Sequence, residues 1–164
     1  MCGIAGFYNK NDLPQKKQIL NIMNQKLSHR GPDGEGFYIT DNVAFSHKRL
    51  SIIDLNSRSN QPFCDPTNEY VITFNGEIYN YIELKKTLIE NGFKFITTSD
   101  TEVLLYSYIK WGTKLLQKIK GMFAFAIYDK KHKKIFCARD HFGQNLFFII
   151  IKMIILFSPL NLPL

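Results

Sequence analysis

Tyr70, Ile72 and Phe74 fall on one face of an unbroken extended run, and this alternation is the tightest local constraint in the chain. A period of two fits a strand that lays one face on a core. Asn75-Gly76 follows at once and is expected to end that strand. Comparable runs occur at Ile4–Tyr8, Phe37–Thr40, Val43–Ser46, Phe95–Thr97, Met122–Tyr128 and Lys134–Ala138. Asp41-Asn42 and the lysine-rich stretch 129–133 supply turns between neighbouring strands. Helical spacing relates Ile19, Leu20, Met23 and Leu27 after Lys16, and an amphipathic helix is expected over Tyr81–Glu90 with Gly92 in a left-handed cap. Ser99 or Asp100 is placed to cap a further helix from near Glu102 to Trp111, and 113–120 forms another helical stretch after Gly112. Strands and helices are interleaved without a repeat or a linker, so residues 1 to about 145 are expected to form one α+β unit of packed layers.

The composition excludes several classes. With 45% hydrophobic and 21% charged residues, the 164-residue chain is neither disordered nor fibrous. The net charge of +7 comes mainly from lysines scattered from Lys10 to Lys152, not from a basic face with interleaved aromatics, so no nucleic-acid partner is expected. Cys2, Cys64 and Cys137 are odd in number and widely spaced, which fits neither a disulfide framework nor a metal site. The start has no basic stretch followed by an apolar one, so a cytoplasmic location is expected. The run from Leu146 to Leu160 is almost wholly apolar, but it is shorter than the roughly 20 residues of a membrane helix and carries Lys152, so membrane association is not expected.

Cys2 is the first candidate for chemistry. Removal of Met1 would give it a free α-amino group with a pKa of about 7.7–8.0, able to serve as base for its own thiol. A small buried hydrophobe in a strand is the alternative, and lipid modification is a third reading whose upstream signal is missing. A thiol that attacks an amide needs oxyanion donors, which Asn75 and Gly76 can supply. It also needs a clamp for an amino-acid carboxylate, for which Arg49 has a bidentate fork, and an anion for the substrate ammonium, for which Asp100 is suited. Each has a plainer alternative: a turn at Asn75-Gly76, a surface ion pair for Arg49 and a helix cap for Asp100.

Taken in order, these residues resemble the N-terminal glutaminase domain of glutamine-hydrolysing asparagine synthases. The segments are Met1-Cys2-Gly3-Ile4-Ala5-Gly6, His29-Arg30-Gly31-Pro32-Asp33, His47-Lys48-Arg49-Leu50-Ser51-Ile52-Ile53-Asp54 and Gln61-Pro62. Phe74-Asn75-Gly76-Glu77-Ile78-Tyr79-Asn80-Tyr81, Ser99-Asp100-Thr101-Glu102, Gly121-Met122-Phe123-Ala124-Phe125-Ala126 and Ala138-Arg139-Asp140-His141-Phe142-Gly143 complete the set. The resemblance implies an N-terminal-nucleophile hydrolase fold, an α+β, four-layer α-β-β-α sandwich of two antiparallel sheets. It implies Cys2 as nucleophile, with ammonia released from glutamine through a glutamyl thioester. It further implies Asn75 and Gly76 as oxyanion donors, Arg49 on the glutamine carboxylate, the backbone of Leu50, Ser51, Ile52 and Ile53 along the pocket, and Glu77 and Asp100 at the ammonium. Related amidotransferases carry different residues around the position of Arg49 and usually His in place of Phe74. Relatives that amidate other acceptors share the same glutaminase and remain an alternative.

The resemblance implies no cofactor in this chain. ATP and Mg belong to a synthetase domain that receives the ammonia, and its Ser-Gly-Gly-x-Asp-Ser loop is absent from this sequence. After Gly143 the family pattern continues as Lys-Pro-Leu-Tyr-Tyr, where this chain has Gln144-Asn145-Leu146-Phe147-Phe148-Ile149. Back-translation with AT-rich codons, with one A inserted after Gln144, restores the pattern and its polar turn. Residues 1–144 are therefore expected to be the glutaminase domain, and 145–164 an apolar non-family tail produced by a frameshift. A non-catalytic remnant with an incomplete sheet is the alternative to a working glutaminase; for the tail, a membrane-seeking segment and a buried strand pair with little turn chemistry are the alternatives.

Overall fold

The computed structural model describes residues 1–9, 13–145, 148–151 and 154–157. Parts of the expected 9–14 loop and of the apolar run after 145 lie outside them. The first sheet contains β1 (Gly3–Tyr8), β2 (Gly34–Ile39), β3 (Val43–Arg49), β8 (Phe148–Ile151) and β9 (Ile154–Phe157), in the order β2-β3-β1-β9-β8. The second contains β4 (Phe63–Cys64), β5 (Tyr70–Ile78), β6 (Gly121–Asp129) and β7 (Lys134–Arg139), in that order. Every pairing is antiparallel. Helix α1 (Lys16–Lys26) packs on the first sheet, and α3 (Asp100–Trp111) packs on the second with α2 (Tyr81–Glu90) beside it. The result is the helix–sheet–sheet–helix sandwich that the sequence leads one to expect.

Period-two alternation sorts the side chains into three apolar layers. Phe7 and Ala44 meet Leu20 beneath α1. Val43 and Phe45 of β3 meet Val71, Ala126 and Tyr128 between the sheets. Ile72, Phe74, Phe125 and Ile127 turn the other way and bury against Leu84, Leu88, Val103 and Leu104 of the two helices. Along β3 and β5 the residues facing the inter-sheet space change character. Val43 and Phe45 give way to His47 and Arg49, and Val71 gives way to Thr73, Asn75 and Glu77. One end of the sandwich is therefore apolar and the other polar.

Several elements differ from the sequence expectation. Asn75-Gly76 does not end a strand. β5 runs through it to Ile78, with Asn75 opposite Ala124 and Gly76 opposite Phe123. β3 likewise continues past Ser46 through Arg49, paired with Gly34. Residues 95–97 are not a strand, because the buried Glu102 carboxylate accepts the Ile96 N–H at 3.0 Å and the Thr97 N–H at 2.7 Å. Side-chain bonds from α3 thus satisfy donors that a neighbouring strand would have taken. Helix α3 begins at Asp100, with the Ser99 hydroxyl accepting from the Thr101 N–H, and the stretch after Gly112 is a 3-10 helix over Gly112–Gln117. Gly92, at φ 89°, closes α2 in the expected way. Phe93 N–H bonds Leu88 O and Gly92 N–H bonds Ile89 O.

Residues 148–151 and 154–157 pair with each other, and β9 pairs with β1 from Ala5 opposite Phe157 to Tyr8 opposite Ile154. β1 is consequently an interior strand of its sheet. No helix among the described residues is long and apolar enough to cross a membrane.

Phe125 is fully buried, between Phe123 and Phe136 and beneath α3. Phe125→Ala is expected to cost about 3–5 kcal/mol. Urea denaturation of the two proteins, compared at equal slope, measures it.

Candidate active site

Cys2 stands just before β1, at the polar end of the sandwich. Its Sγ lies 3.4 Å from the Leu50 nitrogen and 3.5 Å from the Leu50 oxygen, so the backbone of one residue both donates to the sulfur and accepts from the thiol. The Arg30 Nε–H donates to the Cys2 carbonyl at 3.2 Å. Gly31 lies against β3 so closely that a Cβ would fall 2.4 Å from the Lys48 carbonyl. Asp33 completes this support, with its N–H bonded to Arg49 O and its carboxylate accepting the Ser51 N–H at 2.7 Å. The His29–Asp33 segment thus fixes both the chain start and the end of β3. Burial pushes the Cys2 thiol above its ordinary value, against the opposing pull of the Leu50 N–H, the terminal ammonium and Arg49.

Arg49 is buried, at 7% exposure, and has no ion-pair partner among the described residues. The loop 54–60 surrounds it with neutral acceptors. Nη1 donates to Asn56 O at 3.2 Å and Asn60 Oδ1 at 2.6 Å, and Nη2 donates to Ser59 Oγ at 2.7 Å and to Asp54 O. Both terminal nitrogens are therefore occupied, and the bidentate fork expected for a substrate carboxylate is engaged by the loop. What remains is an uncompensated positive charge beside the cleft.

Asn75 and Gly76 border the same cleft from β5. Gly76 has φ 151°, and a Cβ there would sit 2.1 Å from Met122 O, so only glycine fits. Asn75 is buried, and its Nδ2 donates to Asn145 Oδ1 at 3.0 Å. Asp100 lies on the far side, its carboxylate accepting the Ile78 N–H at 3.0 Å. Burial, with the Glu77 charge adding to it, raises Asp100 to about 6 despite that bond. His47 is buried between the sheets with Nε2 at 3.2 Å from Phe74 O. A carbonyl only accepts, so Nε2 carries the proton. Burial lowers this histidine to about 3, and its Nδ1 has no partner among the described residues.

These groups line a cleft of about 610 Å³, mouth included. Cys2, Arg49, Leu50, Ile52, Ile53, Asn75, Gly76, Glu77 and Asp100 all border it, and Ser51 does not. The Ser51 N–H is turned to Asp33 instead. The sequence reading assigned no role to His47, Ser59, Gln61, Thr101 or Met122, which also line the cleft. Gln61 ties two elements together, accepting the Phe74 N–H at 2.6 Å and donating to Thr101 Oγ1 at 3.1 Å. The period-two reading could have found His47, two residues before Arg49 on the same strand face. Among the described residues no cluster of His, Cys, Asp and Glu has the geometry to hold a metal ion.

The family model described as a glutamine amidotransferase domain matches residues 1–159. The chain is 44% identical over 146 residues to asparagine synthetase [glutamine-hydrolyzing] 1 of Bacillus subtilis, a match covering 87% of this chain and 23% of that protein. It is 38% identical over 144 residues to asparagine synthetase B [glutamine-hydrolyzing] of Escherichia coli, covering 87% and 26% respectively. The chain thus spans about a quarter of the length of these relatives. Among solved structures, glutamine phosphoribosylpyrophosphate amidotransferase from B. subtilis, complexed with ADP and GMP, superposes with a TM-score of 0.78. That match has 22% identity, covers 96% of this chain and 42% of the other, and is a likeness of fold.

The Asp100 carboxyl gives a signed expectation. Its folded-state value of about 6 exceeds the ordinary 3.8, so its ionisation opposes folding. The contribution is fully favourable below pH 3.8 and is lost as pH rises through about 6. At one pKa unit per 1.36 kcal/mol, the loss is on the order of 2–3 kcal/mol. Asp100→Asn, which keeps an acceptor for Ile78, is expected to melt higher than wild type at pH 7.5 and equally at pH 3. Thermal unfolding at the two pH values measures the difference.

Proposed function

The chain belongs to the glutamine amidotransferase domain family, and from that premise and the charges around its cleft we propose that it hydrolyses glutamine to glutamate and ammonia. One observation carries the reading. A buried guanidinium without an anion and a pair of carboxylates, Glu77 and Asp100, border one cleft together with a thiol. A free α-amino acid brings a carboxylate for the first and an ammonium for the second. Its side-chain amide then extends toward Cys2.

The steps follow from these groups. Removal of Met1 places the α-amine on Cys2, where it takes the thiol proton that burial holds in place. The sulfur forms a bond to the amide carbon, and the carbonyl π electrons move to oxygen. The Asn75 Nδ2–H and the Gly76 N–H receive that oxyanion. Collapse of the adduct breaks the C–N bond, the ammonium returns its proton to the leaving nitrogen, and ammonia departs. Water then adds to the thioester carbon, the C–S bond breaks, and glutamate and the free thiol are restored. Arg49 acts through its charge, and it gains a direct contact with the substrate carboxylate where the 54–60 loop yields one of its acceptors.

In the longer relatives' arrangement, the ammonia would pass to a synthetase region that uses ATP and Mg to amidate aspartate. Aspartate amidation is the reading that the identity to the asparagine synthetases supports, and the cytoplasm is the location consistent with it.

Purified chain is expected to release ammonia from glutamine, and Cys2→Ala to release none above background. Intact mass should show loss of Met1 and, after treatment with a diazoketone analogue of glutamine, a single adduct on Cys2. Retention of Met1 in active protein, or full activity in the alanine variant, overturns the reading.

A further inference from the structure

The segment after β7 is pinned to the second sheet by one carboxylate. Asp140 Oδ2 accepts the Phe123 N–H at 3.2 Å and the Asn145 N–H at 3.3 Å, while Oδ1 accepts the Gln144 N–H at 3.1 Å. The Asp140 N–H in turn donates to Phe123 O at 2.8 Å. Phe123 is the residue paired with Gly76, so the pinned turn lies beside the Asn75-Gly76 segment. It delivers Asn145, at 1% exposure, to the back of Asn75, also at 1%.

The two carboxamides share the single bond from Asn75 Nδ2 to Asn145 Oδ1, at 3.0 Å. Asn75 Oδ1 and Asn145 Nδ2 are buried with no other partner among the described residues. Asn75 borders the cleft and Asn145 does not. With no other hydrogen bond holding the Asn75 side chain, that bond sets the rotation of its carboxamide, and hence where the second N–H of Nδ2 points. We infer that Asn145 is a positioning residue for the Asn75 carboxamide, fixing the oxyanion donor from behind the cleft. This rests on the proposed glutamine hydrolysis. Such a donor serves the transition state more than the bound substrate, so its misalignment is read in kcat and not in KM.

The test compares wild-type chain with Asn145→Leu and Asn145→Asp. Asn145→Leu keeps the branched skeleton and removes the acceptor, and kcat for ammonia release is expected to fall about tenfold or more with KM within twofold. Asn145→Asp keeps the acceptor, but once ionised it places negative charge behind the oxyanion. The ratio of its kcat to wild type is expected to fall with rising pH. A wild-type kcat in Asn145→Leu, or a flat ratio across pH in Asn145→Asp, overturns the inference. Should wild type release no ammonia, the hydrolytic reading itself fails, and the Asn75 side-chain amide resonances judge the positioning alone. These should move downfield in Asn145→Asp and upfield in Asn145→Leu, and unchanged resonances in both overturn it.

Discussion

A guanidinium buried without an anion is the constraint around which the polar half of this molecule is built. Removing Arg49 from water costs several kcal/mol unless its donors are met. Four oxygens from Asp54, Asn56, Ser59 and Asn60 meet them, so the loop they belong to folds around the cation. The solution is electrically incomplete, because neutral oxygens solvate a charge without cancelling it. A ligand that brings a carboxylate to this cleft gains the balance that the protein withholds. Cys2, Asn75, Gly76 and the acidic pair lie around the same space because β3 and β5 both turn polar at that end.

Buried carboxylates do the complementary work on the surrounding loops. Glu102 collects the N–H groups of Ile96 and Thr97, and Asp140 collects those of Phe123, Gln144 and Asn145. Asp54 takes the Thr98 N–H at 2.7 Å and the Asn56 N–H at 3.1 Å. Its carboxyl is held below the ordinary range because those bonds and Arg58 outweigh the opposing effect of burial. Each anion lets irregular backbone approach the sheets without stranding donors. Asp100 is the exception. Burial, with the Glu77 charge adding to it, keeps it raised against the N–H groups of Ile78 and of its own helix start.

The individual elements were legible because they rest on periodicity, and their order as a sandwich because the motifs resemble a known family. Tyr70–Phe74, Met122–Tyr128 and the 81–90 helix follow directly from the spacing of their apolar residues. The cleft was legible through motif order, and the residues so named border it except Ser51, whose backbone answers to Asp33. What escaped has specific physical causes. Asn75-Gly76 carries the signature of a turn, but Gly76 is demanded by the approach of Met122 O, a contact contributed by a strand about 45 residues away. The 95–97 segment has strand-like composition, yet Glu102 claims its donors from the neighbouring helix. Asn145 sits where the family pattern breaks off, so nothing in local sequence ties it to a residue 70 positions earlier.

β1 lies between β3 and β9, and it leads directly from Cys2. One flank of that strand is closed by residues 43–48, and the other only by residues 154–157. Synthesis runs from β1 toward β9, so the strand next to Cys2 is made long before residues 154–157 complete its ladder. Until then its free edge is open to other strands. Assembly is therefore governed by a contact of very long sequence separation, a feature that slows folding. The strand next to Cys2 is enclosed on its second side only once residues 154–157 have joined it.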